Sequence, residues 1–225
     1  MSPPDTRDQI LDVAEAMLAA DGFAGLSLRR LTTAAGVNLA AVNYHFGGKE
    51  ELVKAVLARR IAPINSERLS RLEALEALAA PDGDEPAELE AILRAFLEPP
   101  LRATATGCDP GTGRQVCRMF GRILVEQPPF LRDFLRSQFG STARRFVDAL
   151  ARVLPREPVA TIWWRLHFVV GAMAHAIQNA TAVQHMSDGL CDPDDADALV
   201  EELVAFATAG FLAPLSADLG RGRQR

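Results

Sequence analysis

Apolar residues recur along this chain at three- and four-residue spacing, and no stretch of strict alternation stands out. That period predicts helices throughout and no sheet, about nine helices in all. Ile10, Ala14, Met17 and Leu18 fall on one stripe of a first helix from about Asp5 to Ala20, which Asp21-Gly22 stops. Ser27 is placed to cap a second helix, with Leu28, Leu31 and Ala35 facing inward, before a tight turn at Gly36. Asn38 is placed to cap a third, Leu39 to His45, which Phe46-Gly47-Gly48 ends. A long fourth helix opens near Lys49 and turns Leu52, Val53, Val56 and Leu57 onto the first three.

Proline sets the next expectations. Pro63 removes an amide hydrogen and crowds the preceding turn, so a kink or break is expected there before the pattern resumes at Leu69, Leu72 and Leu75. Pro86 suits the first position of a fifth helix, and Pro99-Pro100 weakens or ends it. Thr104 to Gly113 reads as a loop, followed by a helix from about Arg114 to Glu126. Further helices are expected from Pro128-Pro129 to about Leu154, from about Val159 to His185, and from the Asp192-Pro193 cap to about Pro214. The fold class expected is all-α, in two units. Residues 1–62 form a three-helix unit, residues 63–216 a larger helical domain, and residues 217–225 a disordered basic tail.

The segment Ser27 to Leu52 carries the most chemistry. Two short helices about a glycine turn have the layout of a helix-turn-helix that enters the DNA major groove. Leu39, Ala40 and Ala41 are small or apolar enough for close approach to base edges, and Asn43 offers an amide. Tyr44 and His45 reach toward phosphates at the helix end. Lys49 adds its ammonium to the positive end of the next helix. Ser27 and Arg29 are placed to hold the backbone of the other strand. Phe46, beside apolar Val37 and Val42, reads as core.

The formal net charge of -5 looks wrong for a DNA binder, but its distribution matters more. Both lysines, Lys49 and Lys54, fall in the first quarter, close to Arg29, Arg30, Arg59 and Arg60, so a local positive face is expected on an acidic body.

Gly36-Val37-Asn38, Leu39 to Asn43, Tyr44-His45-Phe46 and Lys49 closely resemble the DNA-binding segment of the TetR family of transcriptional regulators. The resemblance covers about the first sixty residues. It implies backbone contacts from Ser27, Arg29, Tyr44, His45 and Lys49, and base-edge approach by Leu39, Ala40 and Asn43. One departure is Gly47-Gly48, where a polar residue often precedes the lysine.

A single short helix-turn-helix reads only a few base pairs, so a double-stranded operator calls for a two-fold dimer. The helix at about 159–185 and the one from the Asp192-Pro193 cap to about Pro214 are apolar on more than one face, which suits one face to the core and one to a partner subunit. The family resemblance implies a homodimer through these two helices. A sensor for a small apolar effector is expected among the fifth to eighth helices. Phe96, Met119, Phe120, Phe146 and Trp163 are candidates to line it, although each could equally fill the core. His167, with His175, Gln178 and Asn179, could orient a ligand, and Arg122 beside Arg118 could hold an anion or simply pair with Glu126. A weaker resemblance to the fatty-acid-responsive PsrA-type branch lies in Val37 to Phe46, Ile61-Ala62-Pro63, Phe134-Leu135 to Arg145-Phe146, Trp164 to Phe168 and Gly171-Ala172. It implies a fatty acid or acyl-CoA as effector.

Other chemistry is sparse. Cys108, Cys117 and Cys191 are odd in number and irregularly spaced, which argues against a disulfide framework or a zinc site. No nucleophile–base arrangement, metal-ligand cluster or phosphate loop stands out, so neither an enzyme nor a cofactor is expected. The apolar run Phe168 to Ile177 is too short for a bilayer, and Met1 to Asp5 lacks the features of a secretory signal, so a cytoplasmic protein is expected. The expected activity is that of a ligand-responsive repressor. The alternative is a helical protein–protein adaptor that does not bind DNA.

Overall fold

The computed structural model describes residues 5–78, 85–104, 119–120 and 129–214. Nine helices and no strand occur among them: α1 (Thr6–Gly25), α2 (Leu28–Ala35), α3 (Leu39–Phe46), α4 (Lys49–Leu78), α5 (Glu85–Thr104), α6 (Pro129–Val153), α7 (Val159–Gln178), α8 (Ala180–Met186) and α9 (Ala196–Leu212). Met119 and Phe120 are helical as well. The expected Arg114 to Glu126 helix otherwise lies outside the described residues, as do the tail and all but Thr104 of the expected loop.

The apolar stripes converge in two clusters. The first gathers Ile10, Leu18, Leu31, Val42, Phe46, Leu52, Leu57 and Ile61 from α1 to α4. The second gathers Leu72, Leu93, Phe96, Phe146, Leu150, Leu166, Val204 and Phe211 from α4 to α7 and α9. Helix α4 belongs to both, so any shift along it is felt in both. The first cluster also takes in Met119 and Leu131, with Phe130 and Phe134 packed against it.

Local signals set most helix ends. Gly22 breaks α1 with a φ of 71° and ψ of -172°, and one further turn reaches Gly25. Gly36, at φ 62°, closes α2 while Val37 N donates to Thr32 O, the six-to-one bond of a Schellman turn. Asn38 caps α3 by accepting from Ala41 N at 2.8 Å. Ser27 occupies the first-cap position of α2, but its hydroxyl makes no cap bond. Only its carbonyl serves, accepting from Leu31 N.

The proline expectations need correction. Helix α4 runs unbroken from Lys49 to Leu78 through Pro63. Pro63 lies on the exposed side, where solvent can hydrate the Arg59 carbonyl that it leaves without a donor. Helix α5 likewise continues through Pro99 and Pro100, both buried. Here the freed Phe96 carbonyl finds another donor, Arg68 Nε, at 2.7 Å. The single helix expected at 159–185 divides into α7 and α8 at Asn179, whose side-chain nitrogen donates to His175 O at 3.3 Å. An Asn that bonds back to the preceding turn competes with helix continuation.

Candidate nucleic-acid interface

Helix α3 has two faces. Val42 and Phe46 are buried in the first cluster, while Leu39, Ala40, Asn43 and Tyr44 face outward, with Tyr44 85% exposed. The glycine at each end fixes this presentation. Gly36 aims the chain from α2 into α3, and Gly47, at φ 78°, donates its amide to Asn43 O before α4 begins. A projecting short helix whose inner face is anchored is the geometry a major groove accepts.

The residues named from sequence fall around this helix. Arg29 is exposed, and Ser27 is half-buried with its hydroxyl uncommitted to the cap. The His45 ring meets Tyr44 edge-on at 5.1 Å between centroids. Lys49 does not project freely: its ammonium lies 4.3 Å from the Phe23 ring centroid. That cation–π contact holds the charge beside the N-terminus of α4.

The local positive face expected from sequence has fewer free cations in the structure. Arg30 pairs with Asp21 at 2.9 Å, and Lys54 pairs with Glu51 at 2.7 Å. Arg59 and Arg60 converge on Glu15, which is only 2% exposed, at 2.8 and 2.6 Å, and Arg59 also meets Asp12 at 2.7 Å. Burial disfavours the Glu15 charge, but hydrogen bonds from Arg60 and Arg59 outweigh it and hold the carboxyl below its usual range. These two arginines therefore tie α4 to α1. The cations left near α3 include Arg29, Lys49 and one that sequence reading missed, Arg7. Its guanidinium lies 5.5 Å from the Phe46 ring centroid, over the end of α3. Nothing in its spacing announces this; the crossing of α1 over α3 creates it.

The sensor candidates separate. Phe96 and Phe146 are buried and meet edge-on at 5.0 Å. Met119 and Phe120 pack instead with the first cluster, because their segment leans on the N-terminal helices. Trp163, at 41% exposed, and His167 lie on the outer side of α7, away from Phe96 and Phe146, as do exposed His175, Gln178 and Asn179. Arg122 and Arg118 lie outside the described residues. On that outer side Trp164 stacks on Phe168 at 5.8 Å, and Phe206 of α9 is 66% exposed. Arg165 of α7 donates to the Phe211 and Ala213 carbonyls and so caps the end of α9. No group of three potential metal ligands occurs among the described residues, and none of the described helices is long and apolar enough to cross a membrane.

Comparison with known proteins agrees with this geometry. Residues 94–210 match the family described as Tetracyclin repressor-like, C-terminal domain, and residues 10–56 match Bacterial regulatory proteins, tetR family. The HTH-type transcriptional regulator SrpR of Pseudomonas putida is 40% identical over 60 residues, 27% of this chain and 28% of that protein. The HTH-type transcriptional repressor AcnR of Corynebacterium glutamicum is 38% identical over 68 residues, 29% of this chain and 36% of that protein. These matches thus span well under two thirds of the relatives' length. Among solved structures, the fatty acid degradation regulator FadR from Bacillus halodurans superimposes with a TM-score of 0.66 at 14% identity, covering 95% of this chain and 100% of that one. A transcriptional regulator from Aquifex aeolicus VF5 does so with a TM-score of 0.57 at 19% identity, covering 90% and 97%. With a helix-turn-helix on its N-terminal cluster and a family match over more than half its length, this chain belongs to the TetR family of transcriptional regulators.

Proposed function

We propose that this protein is a homodimeric repressor that holds one α3 helix of each subunit in successive major grooves of its operator and leaves it when a small apolar effector binds. The observation that carries the reading is the division of α3 into a buried Val42–Phe46 face and an exposed Leu39–Ala40–Asn43–Tyr44 face. Leu39, Ala40 and Asn43 approach base edges. Ser27, Arg29, Tyr44, His45 and Lys49 hold phosphates, and Arg7 joins them. Residues 1–62 serve as the DNA-binding unit and residues 63–216 as the sensing and dimerising unit.

The dimer forms through α7 and α9. Val159, Trp164, Phe168, Phe206 and Leu212 are each about half exposed or more, an apolar area that a lone subunit would leave in water. Trp163 and His167 are reassigned from the sensor to this face. The sensor lies around Phe96 and Phe146, where α4, α5, α6 and α7 meet. Its effector is a small apolar molecule, a fatty acid or acyl-CoA by the resemblance noted from sequence.

Mobility-shift titration of the dimer on DNA from upstream of its own gene tests the reading. Binding with a two-fold footprint, relieved by compounds from an apolar library, is expected. No binding to any fragment at low salt would instead favour the helical adaptor.

A further inference from the structure

Arg68 of α4 is 3% exposed and abuts the second cluster at Phe96 and Met173, yet no carboxylate pairs with it among the described residues. The other buried ionisable group among the described residues, Glu15, has two counter-charges. Arg68 has none: its Nε donates to Phe96 O at 2.7 Å, Nη1 reaches Asn65 Oδ1 at 3.4 Å, and Nη2 reaches only the Met173 sulfur at 3.7 Å. The guanidinium also lies 4.0 Å from the Phe96 ring centroid. A guanidinium carries five N–H donors, so each terminal nitrogen keeps one without a protein acceptor among the described residues. Burial lowers Arg68 to about 10, which leaves it charged at neutral pH.

A purely structural duty accounts for part of this. Nε supplies the hydrogen bond that Pro100 withholds from Phe96 O, but a neutral donor would do that without the cost of a buried charge. The remainder of the group points to a ligand. Asn65 is buried beside it, with one amide hydrogen on Gln138 O at 2.8 Å and a second available. Apolar side chains from three different helices lie on this side: Phe96 and Met173 touch the guanidinium, and Phe146 packs edge-on against Phe96.

We propose that Arg68 is the anion-binding residue of the effector site, and that the effector is a monocarboxylate whose apolar body packs against Phe96, Phe146 and Met173. The inference rests on the effector reading above and sharpens it. One buried positive charge is neutralised by one negative charge, whereas a multiply charged phosphate ester would exchange one uncompensated charge for another. Arg68 also sits on the helix that begins at Lys49, roughly 28 Å away along its axis. A carboxylate that draws the guanidinium from Phe96 O would loosen α4 from α5 and move the end of α4 that supports α3.

Calorimetric titration of the full-length dimer with matched pairs tests this: decanoate against decanol, and phenylacetate against phenylethanol. At least one carboxylate is expected to bind tenfold or more tightly than its alcohol. Arg68→Gln is expected to bring that carboxylate down to the alcohol's affinity, and Arg68→Lys to restore part of the difference. The comparison within each pair uses the unaltered protein, so it stands even if a variant fails to fold. Alcohols that bind as tightly as the acids would overturn the assignment while leaving an apolar effector in place. Undiminished carboxylate binding by Arg68→Gln would overturn it too, as would failure of both carboxylates to bind. The broader effector reading fails only if no compound in the library releases the operator.

Discussion

The Phe130 ring at the start of α6 packs against the Phe23 ring of α1, with centroids 5.0 Å apart and planes at 53°. Lys49 lies over the other aromatic partner, Phe23, and the Lys54 ammonium lies 5.6 Å from the centroid of Phe130. A residue proposed to touch DNA is thus linked by ring contacts to a helix of the proposed sensing domain. Coupling of this kind requires two arrangements that effector and DNA stabilise differently. We predict that Phe130→Ala leaves operator affinity within about threefold of wild type while weakening effector release tenfold or more. Partial burial of Phe130 sets the stability cost at about 1–2 kcal/mol. Mobility shift with and without effector, alongside urea unfolding, separates the two effects.

Phosphate and base contacts are expected to respond differently to salt. Lys49→Ala and Arg29→Ala should each weaken binding to all sequences alike and flatten the logarithmic salt dependence by about 0.9. Asn43→Ala should cost about 1–3 kcal/mol on the operator, leave the salt slope unchanged and relax preference at one base position. Titrations over a range of salt concentrations on operator and random duplexes check both. If Lys49→Ala leaves the slope unchanged, its ammonium stays on Phe23 in the complex.

The exposed face of α7 and α9 predicts an assembly defect. A buried charge without a partner is costly, so Phe168→Glu combined with Phe206→Glu should yield monomers at micromolar concentration. Both side chains are more than 60% exposed in the single chain, so the monomer should keep its helical content. Sedimentation velocity and circular dichroism report the two properties, and operator binding should fall at least a hundredfold with loss of the second α3.

Glu15 gives a pH prediction. Its folded-state pKa lies below the unfolded value, so its contribution to stability is fully present above about pH 4.3 and is lost as pH falls through the depressed value. Glu15→Gln should destabilise the protein by about 2–3 kcal/mol at neutral pH. That is less than for a wholly buried pair, because Arg59 and Arg60 keep 27% and 32% exposure and can rehydrate. Thermal unfolding at neutral and acid pH should show the gap between variant and wild type narrowing below pH 4.

The two-faced presentation of α3, which carries the candidate site, was legible in sequence because its determinants are local. Gly36, Asn38 and Gly47 act within a few residues of themselves, and the four-residue spacing of Leu31 and Ala35 in α2, and of Val42 and Phe46 in α3, declares which side is buried. The same reasoning placed nearly every helix. It failed at proline, where the outcome depends on what lies opposite the freed carbonyl. Pro63 has solvent there, and Pro100 has Arg68, distant in sequence.

Charge was legible least. The sequence shows that Arg59 and Arg60 are cationic and early, but only packing of α1 on α4 spends them on Glu15, and only the crossing of α1 over α3 brings Arg7 to Phe46. The division of the aromatic residues was likewise a tertiary matter. Period alone assigns Phe96, Met119 and Trp163 to apolar faces, but which neighbour each face meets is decided by the arrangement of helices. The chain's local chemistry therefore fixed the helices and the exposed face of α3. The burial of Arg68 with no counter-ion among the described residues came only from the assembly, since a charge acquires its environment from segments that sequence proximity does not supply.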